Sequence, residues 1–161
     1  MSVTDVEKDL DNLALTLIAD FNAPAERVWE LWADPRQLES WWGPPTHPAT
    51  FEKHDLTSGG DVTYFMTDPE GEKHHGWWQI TRADPPRSLE LTDGFADQDG
   101  RPVAGMPITT MRMELVQGDE GTRMTLRSTF ESREQMEQLL AMGAAEGLQQ
   151  AVGQMDALLA G

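Results

Sequence analysis

Residues 124–140, MTLRSTFESREQMEQLL, change period at their middle. Met124, Leu126, Ser128 and Phe130 recur at every second position, which places them on one face of a β-strand. From Ser132 the spacing becomes helical. Ser132 and Gln135 stand in the relation of a capping box, with a hydroxyl at the N-cap and an amide three residues on. Met136, Leu139, Leu140, Gly143, Gly147, Ala151, Val152, Met155, Leu158 and Leu159 then make one apolar stripe. The spacing predicts a single helix over residues 133–160, ~39 Å long at ~1.5 Å per residue, packed against a curved antiparallel sheet. Gly143, Gly147 and Gly153 each weaken such a helix by ~1 kcal/mol relative to Ala. We therefore expect Gly143 and Gly147 on the sheet-facing side, where a larger side chain would clash.

Upstream of this switch the chain alternates repeatedly. Leu13, Leu15, Leu17, Ala19 and Phe21 mark a first strand with one buried face. Val62, Tyr64 and Met66 mark another, and Met111, Met113 and Leu115 a third. Asp68-Pro-Glu-Gly71 and Gln117-Gly-Asp-Glu-Gly121 supply turn residues between strands. Trp77 and Trp78 are adjacent and must face opposite sides; if Ile80 faces in, so does Trp78, and Trp77 then covers the outside, but a strand apolar on both faces leaves the phase open. Leu89 and Leu91 belong to the next strand, with Glu90 between them facing water. Asp93 to Pro107 reads as a long functional or mobile loop, and Asp93 fits a turn at its start. Between the first two strands, Val28, Trp29, Leu31 and Trp32 form the stripe of a short helix. Gln37 to Trp41 reads as a second, ended by Gly43-Pro44-Pro45. Of the paired indoles there, Trp41 is expected to pack into the domain and Trp42 to border a cavity entrance.

Composition limits the function classes. With 28 acidic and 12 basic residues the formal charge is -16, so no nucleic-acid backbone and no anionic membrane surface is an expected partner. Cysteine is absent, which removes disulfides, thiolate metal sites and a cysteine nucleophile. The N-terminal residues read as neither a signal peptide nor a membrane span, and the expected location is the cytoplasm. Residues 1–12 read as a lead, free to be flexible, before a single domain at 13–161.

A strand, two short helices, an antiparallel meander and a long terminal helix define an α+β helix-grip arrangement. Four blocks carry a further likeness: APAERVWELWADPRQLESWWGPP, HDLTSGGDVTYFMTDPEGEKHHGWWQI, ADPPRSLELTDGF and GTRMTLRSTFES. With them in this order the chain resembles the START-like superfamily, also called SRPBCC, in the branch of homologues of the heat-shock-protein ATPase activator. The resemblance covers nearly everything from residue 13 onward. It implies a cavity between the concave face of the sheet and the terminal helix, holding a hydrophobic or amphipathic small molecule. Two departures stand out: Thr57 where the family frequently has arginine, and Gly147-Leu148 where Gly-Trp is frequent.

The candidate cavity residues are Trp42, Tyr64, Met66, Trp78, Met111 and Met113. A tyrosine hydroxyl in an apolar wall is a natural polar handle for a ligand. No catalytic set is recognisable: His54, Asp55 and Ser58 lie close in sequence, but no nucleophile elbow accompanies them. His74 and His75 project to opposite faces of a strand and read as surface residues of a hairpin, so no metal and no cofactor is expected. The leading function is a small-molecule binding domain. A cyclase- or aromatase-like enzyme using the same cavity and a chaperone-interacting protein are the alternatives, and the protein is expected to be a monomer or homodimer.

Overall fold

The computed structural model describes residues 3–160. Eight strands form one antiparallel sheet: β1 (Val3–Asp9), β2 (Ala14–Phe21), β3 (Ala49–His54), β4 (Asp61–Thr67), β5 (Lys73–Asp84), β6 (Ser88–Phe95), β7 (Ile108–Gly118) and β8 (Gly121–Phe130). Their spatial order is β1-β2-β8-β7-β6-β5-β4-β3. Helices α1 (Ala25–Ala33) and α2 (Pro35–Glu39) connect β2 to β3, and α3 (Arg133–Ala141), α4 (Ala144–Gly153) and α5 (Met155–Ala160) follow β8. The helices cover the concave face, so the architecture is the expected α+β helix-grip fold. No helix among the described residues is long and apolar enough to cross a membrane.

Alternation explains the sheet. Leu15, Leu17, Ala19 and Phe21 of β2 are buried, as are Met111, Met113 and Leu115 of β7 and Met124, Leu126, Ser128 and Phe130 of β8. The register sets Leu91 opposite Met111 and Leu89 opposite Met113, so the inward faces of β6 and β7 form one apolar surface. Glu90 points outward and pairs with Arg112 at 3.4 Å, as its alternation with the leucines required.

Four expectations are corrected. Residues Val3–Asp9, read as part of a lead outside the domain, form an edge strand paired along β2. A bulge shifts the register between Val3 and Asp5, and the half-buried positions Val3, Val6 and Asp9 do not alternate. The terminal helix is three segments and not one. At Met142 the α3 ladder closes with bonds to Gln138 and Leu139, and Gly143 takes φ +88, a left-handed conformation that favours glycine. Gly143 and Gly147 have open space, not a crowded sheet, where a Cβ would lie. Finally, β6 runs to Phe95, so Asp93 is a strand residue and the loop begins after it.

The second short helix spans Pro35–Glu39, earlier than expected, because Asp34 caps it by accepting from the Arg36 backbone N–H at 2.9 Å. Trp41 and Trp42 follow it in a turn, each bonded through its backbone N–H to the Leu38 carbonyl.

Candidate functional site

The interior is organised around indoles. Trp41 is fully buried, and its Nε1–H donates to the Leu31 carbonyl at 2.8 Å. Its ring meets Trp32 edge-on at 4.8 Å between centroids. Trp42 packs edge-on against Trp41 at 5.5 Å and meets Trp78 edge-on at 4.9 Å and Tyr64 at 6.4 Å. Only 6% of Trp42 is exposed, so it is an interior wall rather than a lip at the entrance. The turn carrying both indoles is held from the far end of the chain: Gln154, between α4 and α5, donates to the carbonyls of Trp41 (3.2 Å) and Gly43 (2.7 Å).

A cavity of about 320 Å³ lies between these aromatics, the inward faces of β4 to β8 and helix α4. Trp42, Tyr64, Met66 and Met111, expected on sequence grounds, line it together with Leu15, Phe95, Phe130, Leu139, Leu148 and Ala151. Trp78 and Met113 do not line it. Both face inward as expected but are 1% exposed, in the packed core beneath the cavity wall. Gly147 and Leu148, the pair that departs from the family pattern, sit on the helical wall.

One polar group of this cavity escaped the sequence reading. Asp93 lines it, and Tyr64 Oη donates toward Asp93 Oδ1 at 3.5 Å, the outer limit of a hydrogen bond. The signal was present in the alternation Leu89, Leu91, Asp93, Phe95, which continues one face of β6; the glycine- and aspartate-rich sequence after it obscured the strand's end. Burial pushes the Asp93 carboxyl up to about 7, with the Tyr64 hydrogen bond opposing the rise. Burial, and then the Asp93 charge, holds the Tyr64 phenol well above its usual value. The tyrosine ring lies over the strand next to its own because its cross-strand partner is Gly76, where a Cβ would fall 2.5 Å from Tyr64 Cζ. On the outer face Trp77 lies similarly over Gly94 and donates to the Phe95 carbonyl at 3.1 Å.

The Trp42 and Trp78 indoles are near enough to Tyr64 to favour its ionised form. Neither Nε1–H makes a hydrogen bond of acceptable geometry, and both are buried. They are donors beside the Tyr64 side chain without a formed bond.

The remaining histidines have structural partners. His54 Nε2 lies 3.0 Å from the Trp32 carbonyl, Ser58 Oγ accepts from the Ala83 N–H, and Asp55 accepts from Thr57, so these side chains do not converge as a nucleophile, base and acid. His74 lies on the cavity lining and bonds Asp68 at 2.9 Å. Asp68, Glu72 and His74 have potential ligand atoms within 4.8 Å of one another. Asp68 also accepts the Glu70 and Glu72 backbone N–H groups, so its carboxylate already organises the hairpin turn.

An α+β helix-grip domain with an apolar cavity under its terminal helices is thereby defined. Residues 22–160 match the family described as Activator of Hsp90 ATPase homolog 1-like protein, and the chain belongs to that family. Protein Ms6760 of Mycobacterium smegmatis is 52% identical, with 98% of this chain and 96% of that one covered and a TM-score of 0.90. A protein of Arthrobacter aurescens, solved in solution, is 49% identical over 99% of this chain and 92% of its own, with a TM-score of 0.94. A protein of Staphylococcus epidermidis shares the fold at 23% identity, with 97% and 93% covered and a TM-score of 0.84. No curated protein matches the chain.

Proposed function

We propose that this protein binds one small hydrophobic or amphipathic molecule in the cavity between sheet and α4. The observation that carries this reading is the cavity itself: about 320 Å³ walled mainly by aromatic, methionine and leucine side chains, with a few polar groups among them. A sequence selected only for stability would fill such a space, because each unfilled methyl-sized void costs on the order of 1 kcal/mol. The family pattern adds a second support. Leu148 stands on the cavity wall where the resemblance expects tryptophan, and the smaller residue leaves room for a ligand.

Native mass spectrometry of the freshly purified protein, with titration of the neutral dye N-phenyl-1-naphthylamine, tests this. We expect one dye per chain, and Leu148→Trp should weaken its binding at least ~10-fold by filling the cavity while the melting temperature is held. Absence of dye binding, or equal binding by Leu148→Trp, would overturn the reading.

A second reading is catalysis of a proton transfer in the same cavity, favoured by one observation: a carboxyl with a value of about 7 beside a phenol hydroxyl. Its distinguishing sign is a bound molecule whose mass changes with time. An associated chaperone in the native spectrum, in place of a small molecule, would instead favour the interaction role that the family description suggests.

A further inference from the structure

We propose that the polar end of the bound molecule is an uncharged oxygen, a carbonyl or hydroxyl, gripped by the Trp42 indole N–H, the Tyr64 hydroxyl and the Asp93 carboxyl. This deepens the binding reading above and rests on it. Trp42 is over nine-tenths buried, lines the cavity and has an Nε1–H with no partner. A buried donor without an acceptor is uncommon in folded proteins, and a ligand oxygen is the simplest group that completes it. Trp78 carries a second unpaired N–H beside the same tyrosine. Tyr64 in turn makes only its long 3.5 Å bond to Asp93, which leaves its oxygen able to accept or donate elsewhere.

The donor set decides the charge of the head group. A cation has no lone pair to offer the Trp42 N–H, so it would leave that donor unsatisfied. A carboxylate or phosphate could accept from it, but would be buried as an unpaired charge, since neither lysine nor arginine is on the lining. The basic groups there are His74, already bonded to Asp68, and His75, whose ring leans on Phe65 at 5.6 Å. Burial favours the neutral form of Asp93, and in that form the carboxyl both donates and accepts. A neutral oxygen on an apolar body matches all three groups at once.

Five probes on one ring system test the proposal: naphthalene, 2-acetylnaphthalene, 2-naphthol, 2-naphthoate and 2-naphthylmethylamine, each competed against N-phenyl-1-naphthylamine at pH ~6. The ketone and the naphthol should bind about tenfold tighter than naphthalene, and the carboxylate and the ammonium weaker than naphthalene. Trp42→Phe and Tyr64→Phe should each reduce the advantage of the oxygenated probes. Asp93→Asn should retain that advantage, because an amide supplies the same donor and acceptor, whereas Asp93→Leu should remove it. Unchanged naphthalene affinity in these variants shows that the cavity is intact. The proposal falls, with the binding reading standing, if naphthalene binds and the oxygenated probes gain nothing, or if either charged probe binds tightest. If neither the dye nor any probe binds, the binding reading has failed and the head-group assignment falls with it.

Discussion

At Asp93 the fold places a carboxyl in an apolar cavity and gives it one long hydrogen bond, from Tyr64. With desolvation as the main cause, its value rises to about 7, above the ~3.9 of an exposed aspartate. The folded state therefore binds this proton more tightly than the unfolded chain does. The stabilisation is fully present below pH ~4 and is lost as pH rises through about 7. Asp93→Asn, which imitates the neutral carboxyl, should be close to wild type at pH ~4.5 and more stable by on the order of 2 kcal/mol at pH ~8. Urea unfolding at both pH values checks this, and an equal difference at the two would show that Asp93 is already ionised in the fold. Trp41 and Trp42 illustrate the same scale. They leave one turn with their rings edge-on at 5.5 Å, and only the first finds a hydrogen-bond acceptor inside the protein.

Among the elements, the terminal helices show how one residue redirects a periodic pattern. Residues 133–160 carry an unbroken apolar stripe, yet the chain breaks at Gly143, whose φ of +88 is costly for any residue with a Cβ. Met142 beside it is left 64% exposed. Helix α4 then restarts with the Gly147 N–H bonded to the Gly143 carbonyl at 2.9 Å. The two glycines should thus respond oppositely to the same change. Gly147→Ala, inside α4 and facing open space, should stabilise by up to ~1 kcal/mol, and Gly143→Ala should destabilise by ~1–2 kcal/mol. Thermal unfolding of the two variants would decide it; two stabilised variants would mean that the break is not a left-handed turn.

For the whole molecule the dominant feature beyond the core is charge. Paired groups such as Arg123–Asp20 at 2.8 Å and Arg112–Glu114 at 2.7 Å neutralise some acidic residues of the surface. With 28 acids against 12 bases, most of the excess has no basic counterpart and repels itself in the folded state. Raising sodium chloride from ~0.05 to ~0.5 M shortens the screening length several-fold, and the melting temperature should rise by a few degrees. A fall across that range would show that the specific ion pairs outweigh the general repulsion.

Period and turn chemistry alone determined most of the architecture: strands β2 and β4 to β8, both short helices, the change to helix at Ser132 and the inward phase of Tyr64, Met66 and Met111. Those features are local, because side-chain direction follows directly from a repeat of 2 or 3.6 residues. What needed the tertiary structure depended on partners distant in sequence. Val3–Asp9 is a strand because β2 offers it an edge, although its half-buried positions do not alternate. Trp78 and Met113 point inward with the cavity residues but fall in the packed core, since alternation gives a side chain's face and not its depth. Asp93 and Tyr64 meet only because β4, β5 and β6 lie side by side and Gly76 leaves room between them. The raised value of that carboxyl is likewise a property of the assembled cavity, because desolvation exists only once distant strands and α4 have closed around it.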